Sequence, residues 1–200
     1  IHSFEGNADT VISLEMGGSG YSWKPQTHLL TYTVGVPTEY FIGDGHSLAK
    51  GVYALDLDKG GESELLVPPK DRTLMGPHWS PDGKYLYVQE IMAMEGGGEI
   101  ARFDPATKAY DQYKQVIGYY DISPAEPKIA FDLLNYAPAG NEIIHVSNLE
   151  LNSTVDLTKS DGTEFHSLPK FSPDGKWIAF VAAKPFVDFE QQESRLMIVP

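Results

Sequence analysis

One stretch of sequence occurs twice and constrains the fold more than any other feature. Residues 77–88 read PHWSPDGKYLYV, and residues 169–181 read PKFSPDGKWIAFV. Each copy is typical of a strand, a tight turn and a second strand, because proline fixes φ, aspartate bonds back to the backbone and glycine adopts a positive φ. We therefore predict positive φ values for Gly83 and Gly175. Because 177–181 contains no polar residue, both faces of that strand should be covered.

Two weaker copies of this pattern occur elsewhere in the chain. Residues 22–32 have the proline without Asp-Gly, and residues 121–131 keep Ser-Pro in a longer turn. The large apolar residue before each turn, which we term the anchor, recurs at spacings of 56, 43 and 49 residues; the four anchors are Trp23, Trp79, Ile122 and Phe171. A period of this size with short strands is typical of β-propeller blades.

The two SPDGK hairpins resemble the PD40 repeat, a WD40-like repeat. It is found in TolB-like β-propellers and in the propeller domains of tricorn and dipeptidyl-peptidase-IV-type proteases. The resemblance covers most of the chain and implies an all-β fold of about four four-stranded blades. We expect one propeller domain or propeller fragment over 1–200, with blades near 21–67, 77–116, 119–158 and 168–200.

The last predicted blade is one strand short, which leaves two interpretations of the ring. Residues 9–15 alternate like a strand and either complete that blade, closing a four-bladed ring, or belong to a preceding blade of a larger ring. Because PD40 propellers usually have six or more blades, the resemblance favours the larger ring. The chain begins at Ile1 without methionine, so we expect a mature form, a domain or a fragment.

The charge and composition exclude several classes of function. A net charge of −13 argues against binding to nucleic acid or to an anionic membrane surface, since both would repel the chain. The absence of cysteine excludes disulfides, thiolate zinc sites and cysteine nucleophiles, and is compatible with an extracytoplasmic protein. No apolar run is long enough to insert into a membrane.

The motifs of hydrolytic and metal enzymes are missing or incomplete. Residues 17–21, GGSGY, lack the last glycine of a nucleophile elbow and are better explained by a turn at 16–20 before the first strand. Scattered histidines are interpreted as hydrogen-bonded residues. His78 and His166 alone lie near the start of innermost strands, where imidazoles from several blades could converge on a metal. We expect no cofactor and no catalytic residue within this chain.

The loops predict a binding face. Strands alternate in direction within a blade, so the connections between second and third strands open on one side, and here they are the long ones: 35–50, 91–98, 134–140 and 183–194. These loops carry residues that a merely solvated loop would not need, which are Tyr40, Phe41, Asp44, His46, Met92, Met94, Tyr136, Phe186 and Phe189.

The sequence therefore favours a non-catalytic, TolB-like propeller that binds a protein or peptide through this loop face. Two alternatives stay open. The chain could be the accessory propeller of a prolyl-peptidase-type hydrolase, whose catalytic domain would lie outside these residues. It could also be a propeller lyase that uses a metal in the central channel, as some TolB-like propellers do.

Overall fold

The computed structural model describes residues 18–34, 51–69, 72–91, 98–133, 142–184 and 193–200. Within these ranges the chain forms four antiparallel sheets whose strands follow one another in chain order. The first sheet contains β1 (Gly18–Trp23), β2 (Leu29–Val34), β3 (Val52–Asp56) and β4 (Glu62–Leu66). The second contains β5 (Thr73–Trp79), β6 (Leu86–Ile91), β7 (Gly98–Phe103) and β8 (Tyr110–Ile117). The third contains β9 (Tyr120–Ile122), β10 (Lys128–Asp132), β11 (Ile144–Asn148) and β12 (Val155–Asp156), and the fourth contains β13 (Phe165–Phe171), β14 (Ile178–Ala183) and β15 (Ser194–Val199).

The all-β prediction is confirmed by these sheets. The turn predicted at 16–20 is wrong for its last three residues, because β1 begins at Gly18 and pairs Gly18 with Val34. The predicted strand 9–15 lies outside the described residues, so its place in a ring stays a prediction. Among the described residues, no helix has the length and apolar character needed to cross a membrane.

Neighbouring sheets pack face to face in chain order. Successive residues of one strand face opposite neighbours, as expected for a strand covered on both sides. In β6, Leu86 and Val88 join the core shared with the first sheet, whereas Tyr87 joins the core shared with the third. In β10, Ile129 belongs to that second core, and Ala130 packs with the fourth sheet. The second and third sheets are therefore buried on both faces, whereas β14 of the fourth sheet packs on a described sheet through one face only, so the prediction that both faces of 177–181 are covered stays a prediction.

The two SPDGK turns are closed by their own side chains. Gly83 and Gly175 have φ values of 67° and 70°, which confirms the prediction. In the first copy the Ser80 hydroxyl accepts the Tyr85 N–H at 2.9 Å, and the Asp82 carboxylate accepts the Lys84 N–H at 3.0 Å. Corresponding bonds in the second copy measure 3.0 and 3.1 Å. The serine and aspartate thus satisfy donors that would otherwise need water.

The turn glycines also lie against the preceding sheet. A Cβ at Gly83 would come within 3.3 Å of the Lys24 side chain. A Cβ at Gly175 would come within 2.9 Å of both the Ala125 Cβ and the Ser123 Oγ. Both turns therefore favour glycine for its positive φ, and the turn at Gly175 also requires the missing side chain.

Three Gly→Ala substitutions separate these two requirements. Gly60 has a φ of 70°, and a Cβ at this position would meet no atom within 4 Å, so Gly60→Ala should cost only the left-handed backbone energy of roughly 1–2 kcal/mol. Gly83→Ala should lower the free energy of unfolding only slightly more than Gly60→Ala, because the Lys24 side chain can move away. Gly175→Ala should cost roughly 1–3 kcal/mol beyond Gly60→Ala through overpacking. Urea unfolding measures all three, and equal losses would contradict the contact seen at Gly175.

A second repeated feature is a β-bulge in the first, innermost strand of three sheets, β1, β5 and β13. Register shifts occur between Ser19 and Tyr21, between Met75 and His78, and between Ser167 and Lys170. Each contains a residue with a positive φ, three positions before the anchor: Gly20 (56°), Gly76 (53°) and Leu168 (58°). Leucine has a Cβ that clashes with the backbone in this conformation, so the third bulge is strained.

Replacing the strained leucine should stabilise the protein. Leu168→Gly should relieve roughly 1–2 kcal/mol of backbone strain in the left-handed conformation. The greater conformational entropy of the unfolded chain, which glycine brings, offsets part of this gain. Because the side chain is partly exposed, we expect a net gain of up to about 1 kcal/mol. The matched control is Ser167→Gly, one position earlier without a positive φ, which should destabilise by roughly 0.5–1 kcal/mol. Chemical denaturation that shows equal losses for both variants would contradict the strain.

Candidate functional site

The residue immediately before each anchor occupies the same position in every innermost strand. These residues are Ser22, His78, Asp121 and Lys170. Asp121 Oδ1 lies 3.3 Å from His78 Nδ1 of the second sheet and accepts a 3.0 Å hydrogen bond from Lys170 Nζ of the fourth. Asp121 Oδ2 accepts the backbone N–H of Phe171 at 2.8 Å. One buried carboxylate therefore links three sheets.

The imidazole of His78 is neutral at physiological pH. Burial lowers the pKa of His78 to about 4, the nearby Asp121 carboxylate opposes this effect, and the Lys170 ammonium adds to it. The ring lies edge-on against Tyr120, with centroids 4.9 Å apart. The Tyr120 hydroxyl in turn donates a hydrogen bond to the carbonyl of Gly76. His78, Asp121 and Lys170 thus form an electrostatic contact between sheets, in which the imidazole and the carboxylate are largely buried and the lysine is exposed.

The two histidines considered as metal ligands are each engaged with the protein. His166 Nδ1 lies 2.8 Å from the Thr158 hydroxyl, and its ring packs against Phe180. Burial lowers the pKa of His166. In the described part of the chain, no group of three His, Cys, Asp or Glu side chains is arranged to hold a metal ion.

A second region lies at the opposite end of the fourth sheet, where β13 and β15 begin. An open cavity of about 440 Å³ is lined there by Lys159, Ser160, Asp161, Thr163, Glu164, His166 and Arg195. Arg195 Nη2 donates to Glu164 Oε2 at 2.6 Å. Charges of both signs line the cavity, so it suits a polar or zwitterionic group better than an apolar ligand.

A buried carboxylate at the end of β10 binds β13, the strand whose His166 lines this cavity. Asp132 accepts backbone N–H groups from Tyr119 at 2.9 Å and from the bulged Leu168 at 3.2 Å, so it joins the third sheet to the fourth. Burial, opposed by the two backbone donors and assisted by the nearby Glu142, raises the pKa of Asp132 to about 6. Burial also raises the pKa of Glu142.

The titration of Asp132 predicts a pH-dependent stability. Between pH 3.8, the usual value, and about pH 6 the folded chain binds a proton at Asp132 that the unfolded chain does not. Wild type should therefore gain stability relative to Asp132→Asn as pH falls through this window, by roughly 1–3 kcal/mol. His78 acts in the opposite sense in both proteins, so the difference between them isolates Asp132.

Urea unfolding of both proteins at several pH values between 4 and 7 measures this difference. Asp161→Asn is the control: its carboxylate is exposed and hydrogen bonds lower its pKa, so its difference from wild type should stay constant above about pH 4. A difference for Asp132→Asn that stays constant across the whole range would show that Asp132 does not titrate there.

The residues predicted for the loop face lie outside the described residues. This holds for all nine: Tyr40, Phe41, Asp44, His46, Met92, Met94, Tyr136, Phe186 and Phe189. Sequence reasoning missed Asp121 and Lys170, although aligning the four repeats on their anchors would have placed both beside His78. It also missed Asp132 and the cavity, for which no local pattern gives a signal.

Comparisons with known proteins bear on the fold. No family model matches the chain, and no curated protein matches it. Among solved structures it resembles the putative TolB from Agrobacterium tumefaciens, with a TM-score of 0.54 and 18% identity, over 94% of this chain and 61% of that one. The chain has the fold of β-propeller blades. The resemblance to TolB-like propellers suggested by the hairpins is thereby confirmed.

Two enzymes contain similar propeller structure. An oligogalacturonate lyase from Vibrio parahaemolyticus matches with a TM-score of 0.59 and 16% identity, over 89% of this chain and 47% of that one. A structure described in a study of two prolyl endopeptidases matches with a TM-score of 0.57 and 17% identity, over 90% of this chain and 29% of that one. The chain thus spans less than two thirds of each matched protein, and at these identities the similarity shows the fold alone.

Proposed function

We propose that this propeller is a non-catalytic scaffold that binds a protein or peptide, in an extracytoplasmic compartment, through the end where its long connections lie. The observation that supports this is the asymmetry of the two ends. At one end the connections are uniformly short: 24–28, 57–61, 80–85, 104–109, 123–127, 149–154 and 172–177. At the other end three of the four second-to-third connections are longer, spanning 35–51, 133–143 and 184–193, whereas 92–97 has the same length as several of the short turns.

In the short turns, backbone N–H groups donate to side chains of the same turn. Asp56 accepts the N–H groups of Asp58 and Lys59, and Asp104 accepts those of Ala106 and Thr107, in the same way as the aspartates of the SPDGK turns. Such turns offer a partner few unpaired polar groups. This end is therefore better suited to holding the sheets than to recognition.

The end with long connections has the properties of a recognition surface. It contains the charged cavity lined by Arg195 and Glu164, and the buried carboxylate of Asp132 binds β13, whose His166 also lines that cavity. Loops that vary in length on a rigid scaffold commonly carry binding residues. The aromatic side chains of the predicted loop face would supply apolar contacts for a partner, next to the polar cavity. Binding surfaces commonly combine aromatic and polar residues in this way.

A selected peptide tests which end binds. Peptides are selected from a random display library on the wild-type chain, and their affinities are measured by fluorescence polarisation. Combined alanine substitution of Tyr40, Phe41, Phe186 and Phe189 should weaken binding about tenfold or more, which corresponds to about 1.4 kcal/mol, with the melting temperature nearly unchanged. The matched control is Trp177→Ala, which removes an exposed aromatic side chain at the short-turn end and should leave affinity unchanged.

The opposite pattern would contradict the proposal. Peptides that lose affinity on Trp177→Ala and keep it in the loop variant would place binding at the short-turn end. A loop variant that melts at a much lower temperature while binding normally would show that these aromatics are packing residues. A library that yields no binding peptide would also count against a peptide-binding scaffold.

A further inference from the structure

The charged cavity of the fourth sheet contains one lysine that differs from the other lysines of the chain. Among the lysines whose side chains the structure describes, Lys159 alone has neither a carboxylate nor an aromatic ring as a partner for its ammonium group. The others have one or the other: Lys24, Lys59, Lys84, Lys108, Lys128, Lys170, Lys176 and Lys184. The chain has 15 basic and 28 acidic residues, so carboxylates are plentiful. The charge of Lys159 is therefore available to a ligand in the cavity.

A buried histidine supplies a second donor to the same cavity. His166 is only 8% exposed, and its Nδ1 lies 2.8 Å from the Thr158 hydroxyl. That hydroxyl oxygen also accepts the N–H of Ile144 at 2.9 Å, and within the described part of the chain Nδ1 is the acceptor left for its proton. Because the hydroxyl donates to Nδ1, the proton of the neutral imidazole is on Nε2. Nε2 has no partner among the described residues, so its N–H is available on the side of the cavity.

The acidic side chains of the cavity are already hydrogen-bonded. Glu164 Oε2 accepts the 2.6 Å bond from Arg195. Asp161 Oδ1 accepts both the backbone N–H of Thr163 at 2.9 Å and its hydroxyl at 2.5 Å. One oxygen of each carboxylate is thus occupied, and the charge of Glu164 is balanced by its arginine.

The groups that stay free in the cavity are mainly donors. Lys159 has its ammonium group, His166 has Nε2–H, and Arg195 keeps the N–H groups that do not face Glu164. Such donors are complementary to the two oxygens of a carboxylate, and charge-assisted bonds of this kind are the strong ones. The cavity volume of about 440 Å³ lies in the range of small-ligand sites, so it can take one terminal residue or one acidic side chain.

We propose that this cavity binds a carboxylate group of the partner peptide, and that Lys159 and Nε2 of His166 donate to it. The inference rests on the proposed function, because the cavity lies where β13 and β15 begin, at the end with the long connections. A peptide can supply the group as its C-terminus or as an aspartate or glutamate side chain. Both sources have the same chemistry, and end-blocked peptides distinguish them.

The position of the imidazole proton can be measured in the free chain. A long-range ¹H–¹⁵N NMR spectrum at neutral pH should show His166 as the tautomer with its proton on Nε2, because the two nitrogens of a neutral imidazole have different shifts. The opposite tautomer would overturn the proposal, since Nε2 would then be an acceptor that repels a carboxylate.

Three peptides test the ligand class by NMR titration of the ¹⁵N-labelled chain. They are N-acetyl-trialanine with a free C-terminus, the same peptide as its C-terminal amide, and an amidated N-acetyl peptide with a central glutamate. The free acid, the glutamate peptide or both should bind at least about tenfold more tightly than the neutral amide, with shifts at residues 159–166. A preference for the free acid identifies the C-terminus as the group bound, and a preference for the glutamate peptide identifies the side chain. Equal affinity for all three, or no binding up to their solubility limits, would overturn the proposal.

Substitutions show which residues hold the carboxylate. Lys159→Gln should reduce the preference for carboxylate over amide about fivefold or more, whereas Lys159→Arg should keep it. His166→Leu should also reduce the preference, and His166→Gln, which restores a side-chain donor, should recover part of it. The matched control is Lys176→Gln, at an exposed lysine of the short-turn end, which should leave the preference unchanged. A preference that survives both Lys159→Gln and His166→Leu would overturn the proposal. Lys159 is exposed, so its variants test the site even where His166→Leu melts at a lower temperature.

Failure of this inference and failure of the proposed function give different results. Library peptides that bind through the loop aromatics and keep their affinity when their carboxylates are amidated would overturn the cavity assignment and leave the scaffold function intact. A library without any binding peptide, together with short carboxylate peptides that still bind in the cavity, would support the carboxylate site and count against the scaffold.

Discussion

The whole arrangement depends on the close approach of neighbouring innermost strands. A Cβ at Gly20 would lie 3.2 Å from the Gly76 Cα, so the backbones of β1 and β5 touch where both strands bulge. A regular strand keeps its backbone groups within its own ladder, and a bulge releases one residue and bends the strand. The positive φ at this position lets one strand pair in its own sheet and contact the next strand around the axis.

Between the third and fourth sheets, the contact is made by charged side chains. Asp121 and Asp132 lie on its two inner strands, and each accepts a backbone N–H of β13, from Phe171 and Leu168 respectively. The first carboxylate binds just after the strained bulge and the second binds the strained Leu168 itself, so they hold the fourth sheet at the point where its backbone is least favourable. Because His166 of the same strand lines the cavity, Asp132 secures a strand that reaches the proposed binding end.

The sequence predicts those parts of the structure that are decided locally. Ser-Pro-Asp-Gly closes a turn with its own atoms, so the φ values of Gly83 and Gly175 followed from the residues alone. The bulge at Leu168 did not, because leucine disfavours that conformation and only packing between sheets imposes it. The link from Asp121 to Lys170 depends on how two sheets align, which no single repeat specifies. The burial of Asp132 is likewise a tertiary property.

The most direct test of this account is the contact between the first two innermost strands. In an NMR spectrum of the labelled chain, the α protons of Gly20 and Gly76 should give a strong nuclear Overhauser effect, together with one between Gly76 and the Tyr120 ring, whose Cε1 lies 3.6 Å from a Cβ built at Gly76. Both effects would place three successive sheets around one axis. Their absence, with the pairing inside each sheet intact, would mean that the sheets do not stack through their bulges, and the propeller arrangement would be wrong.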